Sequence, residues 1–167
     1  MIELTILRHG IAVEHGTPGI PDDDRPLTPK GEKRMREIAA GLIEIGVDLD
    51  RIVTSPLPRA RRTAEIVAET LGLEDRLEDV AVLRSGGAAG TVVDWLRDRE
   101  EDRLMIVGHN PMLDELLGLL VLGDPHALPF SLKKGGVAAL RRWDEKPDRF
   151  EIAWLATPRL LRRKDDD

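Results

Sequence analysis

The sequence predicts an α/β domain built on a largely parallel central sheet. Short apolar runs (Leu4 to Leu7, Arg51 to Thr54, Leu104 to Val107) alternate with segments of helical periodicity, and glycine or proline punctuates the junctions between them. At 167 residues the chain is long enough to bury one sizeable core. The expected domain is residues 1–158, with 159–167 a charged tail that frays.

Leu4 to Leu7, an apolar run soon closed by glycine, reads as the first buried strand. Asp22-Asp23-Asp24-Arg25-Pro26 is a polar, proline-containing surface loop. Thr28-Pro29 is a helix start, a side-chain cap followed by proline at the first helical position. Met35, Ile38, Ala39, Leu42 and Ile43 keep helical spacing after it, and Gly46 ends the segment. Arg51 to Thr54 is the second strand, and Pro58 to about Leu71 the second helix, closed by Gly72. Glu78 and Asp79 are read as a surface turn and Arg84 to Gly90 as a flexible loop. Thr91 to about Arg99 is a short helix. Leu104 to Val107 is the clearest buried strand, and Pro111 opens an apolar helix to about Leu122. Val137 to Leu140 and Glu151 to Leu155 complete the strands.

The composition, 41% hydrophobic and 34% charged, belongs to a folded chain. A net charge of −6 argues against nucleic acid or an anionic membrane as partner, so an anionic substrate needs a local basic pocket. The absence of cysteine excludes disulfides, thiolate metal sites and a cysteine nucleophile. No apolar run approaches the ~18 residues needed to span a bilayer, and the amino terminus lacks signal-peptide character. A soluble, cytoplasmic protein is the expectation.

Three segments carry chemistry. In Arg8-His9-Gly10, a neutral imidazole is a competent nucleophile toward phosphorus, a neighbouring guanidinium disfavours its charged form, and glycine lets backbone approach a ligand. In Ser55-Pro56-Leu57-Pro58-Arg59, the arginine lies in the first turn of a helix. There backbone N–H groups favour an anion, and a guanidinium can hold two phosphate oxygens at once. Arg59 and Thr63 share a face, while Arg61 and Arg62 project elsewhere into solvent. In Gly108-His109-Asn110-Pro111, a histidine between a buried strand and a helix is placed to bond a transferring phosphoryl group or move a proton. Each histidine alone also fits a structural role. All three segments follow predicted strands, and α/β sheets bind ligands at that edge.

Together these segments resemble the histidine phosphatase superfamily, most closely its small SixA-type phosphohistidine phosphatases. Arg8-His9-Gly10 is similar to the nucleophile motif, Ser55-Pro-x-x-Arg59-Ala-x-x-Thr63 to the second phosphate-arginine motif, and Gly108-His109 to the second-histidine motif. Arg25-Pro26-Leu27-Thr28 is similar to a SixA-type segment whose arginine joins the phosphate pocket. The resemblance spans about residues 2 to 113. It implies a phosphoglycerate-mutase-like fold with three α/β/α layers. It also implies His9, Arg8, Arg59 and His109 as catalytic residues, and Arg25, Gly10 and Asn110 as phosphate-binding. The implied mechanism is a two-step transfer through phospho-His9, with no cofactor and no metal.

Two departures bear on the substrate. Larger relatives carry an acid after a middle strand to protonate a leaving alcohol, whereas Leu83-Arg84-Ser85-Gly86-Gly87 offers no carboxylate. Ile11 stands where many relatives place a polar residue, and Glu14 is the nearby substitute. The missing acid favours an N–P substrate, so the leading expectation is a signalling phosphatase acting on phosphohistidine in proteins. The alternatives are a phosphatase of a small phosphorylated metabolite and a catalytically weak phosphate-binding module. His15 and His126 are read as surface residues outside the site.

Overall fold

The computed structural model describes residues 1–143 and 146–162. In chain order its elements are β1 (Glu3–Arg8), α1 (Pro29–Glu44), β2 (Arg51–Thr54), α2 (Pro58–Leu71), β3 (Leu77–Asp79) and α3 (Ala89–Arg97). They continue with β4 (Arg103–Gly108), α4 (Met112–Leu122), β5 (Val137–Trp143), β6 (Lys146–Ala156) and α5 (Pro158–Leu161). The sheet order is β3-β2-β4-β1-β5-β6. The pairings from β3 to β1 are parallel, and β5 is antiparallel to both its neighbours.

Alternation along the strands creates two cores and so three layers. Leu4, Ile6, Leu104 and Ile106 face α3 and α4, where Val92, Leu113, Leu116 and Leu117 bury against them. Leu7, Ile52, Met105 and Val107 face α1 and α2, against Met35, Ile38, Ala64 and Val67. Strands buried on both faces read as continuous apolar runs, which is how Leu4 to Leu7 and Leu104 to Val107 stood out in the sequence.

The helix ends follow local chemistry. The Thr28 hydroxyl accepts from Gly31 N–H at 2.9 Å, with Pro29 in the first helical position. Gly72 and Gly123 end α2 and α4 in the left-handed conformation that costs glycine least. Helix α3 begins at Ala89, inside the stretch expected to be loop. Leu77–Asp79, in place of the expected surface turn, pairs with β2 as the sheet's outer strand. Its side chains alternate too briefly for a period-2 signal, so pairing alone makes it a strand. None of the described helices is long and apolar enough to cross a membrane.

Part of the expected tail is packed. Leu161 is buried in the core with α1, and Arg162 pairs with Glu37 at 2.7 Å. One buried leucine of an adjacent pair in a basic stretch, seated on a distant helix, leaves no periodicity to read. Residues 163–167 lie outside the described residues.

The seat of α5 is made by Gly41, where a β-carbon would stand 1.9 Å from the Leu161 carbonyl oxygen. Glycine to alanine in a helix interior ordinarily stabilises by about 1 kcal/mol. At Gly41 the backbone clash reverses the sign. Gly41→Ala is expected to lower stability by about 1–3 kcal/mol in urea unfolding, and a stabilised variant would show that α5 is not docked on α1.

Candidate functional site

β1 and β4 are neighbours, yet the chain leaves β1 toward β2 on one side and leaves β4 toward β5 on the other. A crevice at the carboxyl ends of such strands is the usual ligand position in α/β sheets. Arg8 stands in register with Gly108, and Thr54 with Val107. The ladder runs one residue further: His9 N–H donates to the Gly108 carbonyl at 3.1 Å, and Ser55 N–H to the Val107 carbonyl at 3.0 Å. His9, Ser55 and His109 therefore emerge side by side, with the two imidazoles 5.1 Å apart and tilted by 53°.

The cavity above them has a volume of about 300 Å³. Arg8, His9, Arg25, Arg59, His109 and Asn110 all line it, so the structure unites six of the seven residues singled out in the sequence. Gly10 is the exception. It lines an adjoining groove, and its N–H is spent on the Thr63 hydroxyl at 3.0 Å. That hydroxyl donates in turn to the Arg59 carbonyl at 2.7 Å, tying the backbone after His9 to the helix that carries Arg59.

His9 is buried with its Nδ1 2.7 Å from the Gly10 carbonyl oxygen. A carbonyl only accepts, so Nδ1 carries the proton and Nε2 keeps its lone pair. Burial, with His109, Arg59 and Arg8 nearby, pushes the His9 pKa down to about 3 against the pull of the Gly10 bond. The imidazole is thus neutral and nucleophilic at physiological pH.

His109 is also pushed down to about 3, first by burial and then by Arg59, Arg25 and Arg8. Its Nε2 lies 2.9 Å from the Ser55 hydroxyl. That oxygen accepts Leu57 N–H at 3.3 Å, leaving its own proton to donate to Nε2. His109 then presents Nδ1–H, which is buried and has no partner in the structure. The Nε atoms of Arg8 and Arg59 are buried and unpartnered in the same way. Buried donors are rarely left so, and a tetrahedral oxyanion would satisfy them.

The segment from 11 to 27, whose purpose was not legible in the sequence, delivers the third arginine. Its base is closed by Thr28 N–H donating to the Ile11 carbonyl and Val13 N–H to the Pro26 carbonyl, each at 2.9 Å. Arg25 donates to the Val13 carbonyl at 2.8 Å and pairs with Asp22 at 2.7 Å. Arg59 donates to the Asp22 carbonyl at 2.8 Å. His15, read as lying outside the site, sits at the mouth of the cavity bonded to Asp22 at 2.5 Å. The bond from His15, then Arg25, holds the Asp22 carboxyl down at about 2, so it is an anion and no proton donor. His126 is exposed.

Asn110 lines the cavity with its amide nitrogen already engaged within the protein. Its amide nitrogen reaches Asp114 at 2.6 Å, Ser131 at 2.9 Å and the Leu132 carbonyl at 3.2 Å. The same carbonyl accepts from Arg8 at 2.6 Å, so this network positions the arginine. Arg61 and Arg62, expected in open solvent, are half-buried ion-pairing residues: Arg61 with Glu65 and Asp79, Arg62 with Glu32, Glu65 and Glu69. Glu78 pairs with Arg51 and Arg99. Glu78 and Asp79 are therefore engaged away from the cavity. Ser85 from the loop after Leu83 lines it, and Glu14 and Asp22 are its carboxylates. Among the described residues, no three His, Cys, Asp or Glu side chains form a set able to hold a metal.

The histidine phosphatase superfamily (branch 1) model matches residues 4–83, which include His9, Arg25 and Arg59. A Picosynechococcus sp. protein of unassigned function is 39% identical over 145 residues, 84% of this chain and 85% of the relative. Escherichia fergusonii GpmB, named a probable phosphoglycerate mutase, is 34% identical over 107 residues, 61% of this chain and 47% of GpmB. This chain thus matches about half the length of that relative. The protein histidine phosphatase SixA complexed with tungstate superposes with a TM-score of 0.83 at 25% identity, covering 96% of this chain and 100% of SixA.

Two outcomes are expected. Unfolded histidine titrates near 6.5, whereas both site histidines stay neutral in the folded protein down to about pH 3. The unfolded chain therefore binds more protons between these values, and stability falls as pH drops from 6.5 toward 3. Urea unfolding of His9→Ala should show a shallower fall over this window than the wild type, and an equal slope would contradict the buried neutral imidazole. Separately, Ser55→Ala removes the bond that orients His109. A lost hydrogen bond of about 1.4 kcal/mol corresponds to a roughly tenfold lower kcat, measurable by steady-state phosphate release.

Proposed function

Because the chain belongs to the histidine phosphatase superfamily, we propose that it removes phosphoryl groups from phosphohistidine in proteins, through a covalent phospho-His9 intermediate and without a metal. One observation carries the reading. The free Nε2 of a neutral imidazole sits in a cavity edged by three guanidiniums and by an unpartnered His109 donor. The tungstate in the SixA structure, a tetrahedral oxyanion like phosphate, supports the same use of the pocket.

The phosphoryl group enters with its equatorial oxygens toward Arg8, Arg25 and Arg59. The His9 Nε2 lone pair forms the new N–P bond as the substrate N–P bond breaks. A leaving imidazole already protonated on its distal nitrogen takes the bonding pair and departs neutral, so no acid is required. Water then attacks phospho-His9, the N–P bond electrons return to Nε2, and the water protons leave on dihydrogen phosphate. Fixed positive charge and the His109 donor stabilise both transfers, and such positioning supplies most of the catalysis in phosphoryl transfer.

A small phosphorylated metabolite is the second reading. The cavity walls are charged or polar side chains throughout. Sites for small organic ligands are lined mostly by apolar groups. The absence of an apolar wall favours a substrate whose bulk stays outside, as a protein's does. Asp22 is held ionised and the loop after Leu83 brings only Ser85, which favours a leaving group that needs no proton. Glu14, exposed at the mouth, is the remaining carboxylate.

The test is phosphate release from a phosphohistidine peptide and from an alkyl phosphate monoester. The peptide is expected to be cleaved much faster, with an acid-labile phosphoryl group trapped on His9 during turnover. His9→Ala should abolish release. Arg59→Ala should cost ~2–5 kcal/mol in kcat/KM, as for loss of a buried charged contact, while Arg61→Ala should leave turnover nearly intact. Faster cleavage of the monoester, or label on another residue, would refute the reading.

A further inference from the structure

Next to the catalytic cavity lies a groove of about 560 Å³ between α1, the Lys133-Lys134 turn and α5. Arg8 and Lys134 line both spaces, so the groove adjoins the cavity. Met35 and Ile38 lie beneath it, fully buried in the core, and Pro158 is a half-buried part of its wall. Its cations are Arg8, Arg34, Lys133, Lys134, Arg159 and Arg162, and no carboxylate lines it.

This distribution runs against the rest of the molecule. The chain carries 31 acidic and 25 basic residues, and Arg36, Arg51, Arg61, Arg62, Arg99 and Arg103 each pair with a carboxylate. In the groove, Arg162 pairs with Glu37 and Arg8 is held by the Leu132 carbonyl. Arg34, Lys133, Lys134 and Arg159 form no ion pair with another described residue. Cations that converge without a counter-ion among the described residues repel one another, a cost that an anionic partner relieves.

We propose that this groove holds an acidic segment of the substrate protein beside its phosphohistidine, with its carboxylates on the cationic rim. The assignment rests on the phosphohistidine reading of the neighbouring site. Charge complementarity selects this occupant. A negatively charged protein repels acidic partners over most of its surface and admits them only where cations are concentrated, so the groove sets both selectivity and encounter rate.

The test uses the full chain with phosphoramidate and with phosphohistidine peptides flanked by acidic or by serine residues. The paired variant Lys133→Glu, Arg159→Glu changes two exposed side chains that lie outside the catalytic cavity. Wild type should prefer the acidic peptide in kcat/KM by about tenfold or more, a typical size for electrostatic steering. The preference should shrink near 0.5 M salt, where screening reaches within ~4 Å. The variant should lose the preference while hydrolysing phosphoramidate at the wild-type rate. Equal rates on both peptides, or a variant that keeps the preference, would overturn the proposal.

A second readout separates this failure from that of the activity itself. Anisotropy with an unphosphorylated acidic peptide should show wild-type binding that the variant loses, whether or not any substrate is cleaved. Tighter binding of single-stranded DNA than of that peptide would also overturn the assignment.

Discussion

The in-register parallel pairing of β1 with β4 is the constraint on which the site depends. Hydrogen bonding continues one residue past the strands, from His9 N–H to the Gly108 carbonyl, and this bond seats His9 beside His109. Side chains on adjacent strand ends are held by backbone geometry, which a solvated loop could not match for precision. The two apolar layers fix the register, because a one-residue slip would turn Leu4 and Ile6 away from one core and Leu7 away from the other. Packing energy and catalytic geometry are therefore maintained by the same contacts.

Electrostatics then decides what this geometry can do. Two imidazoles buried among guanidiniums stay neutral, since a further positive charge would be both desolvated and repelled. The Gly10 carbonyl selects the tautomer of His9, and Ser55 selects that of His109. One ring is left with a lone pair and the other with a donor. A dianion entering the cavity meets complementary charge already in place, without the cost of rearranging it.

The insertion between β1 and α1 shows how an anion site is kept ordered before substrate arrives. Asp22 engages His15, Arg25 and Arg59 through its carboxylate, and Arg59 again through its carbonyl. The charges of Arg25 and Arg59 are partly offset, and their guanidiniums are held in place by these contacts. Asn110 acts similarly from the other side, by gathering the Leu132 carbonyl on which Arg8 rests. The cationic groove beyond Lys134 extends the positive charge outward from the cavity.

The sequence by itself determined the layered α/β plan and the identity of the central chemical groups. Apolar runs, caps and glycine stops are local signals: Arg8 ends β1, His9 and His109 directly follow β1 and β4, and Arg59 stands in the first turn of the helix after β2. Arg25 came from resemblance, since nothing in its loop specifies where the chain folds back. Tertiary structure alone decided the rest. β3 exists only through pairing with β2, and α5 only through the space that Gly41 leaves for Leu161. Ser55 meets His109 because β2 ends beside β4, and the Gly10 N–H is bonded to Thr63 on α2. Each of these outcomes depends on a partner distant in sequence, and one-dimensional periodicity carries no information about which distant group will arrive.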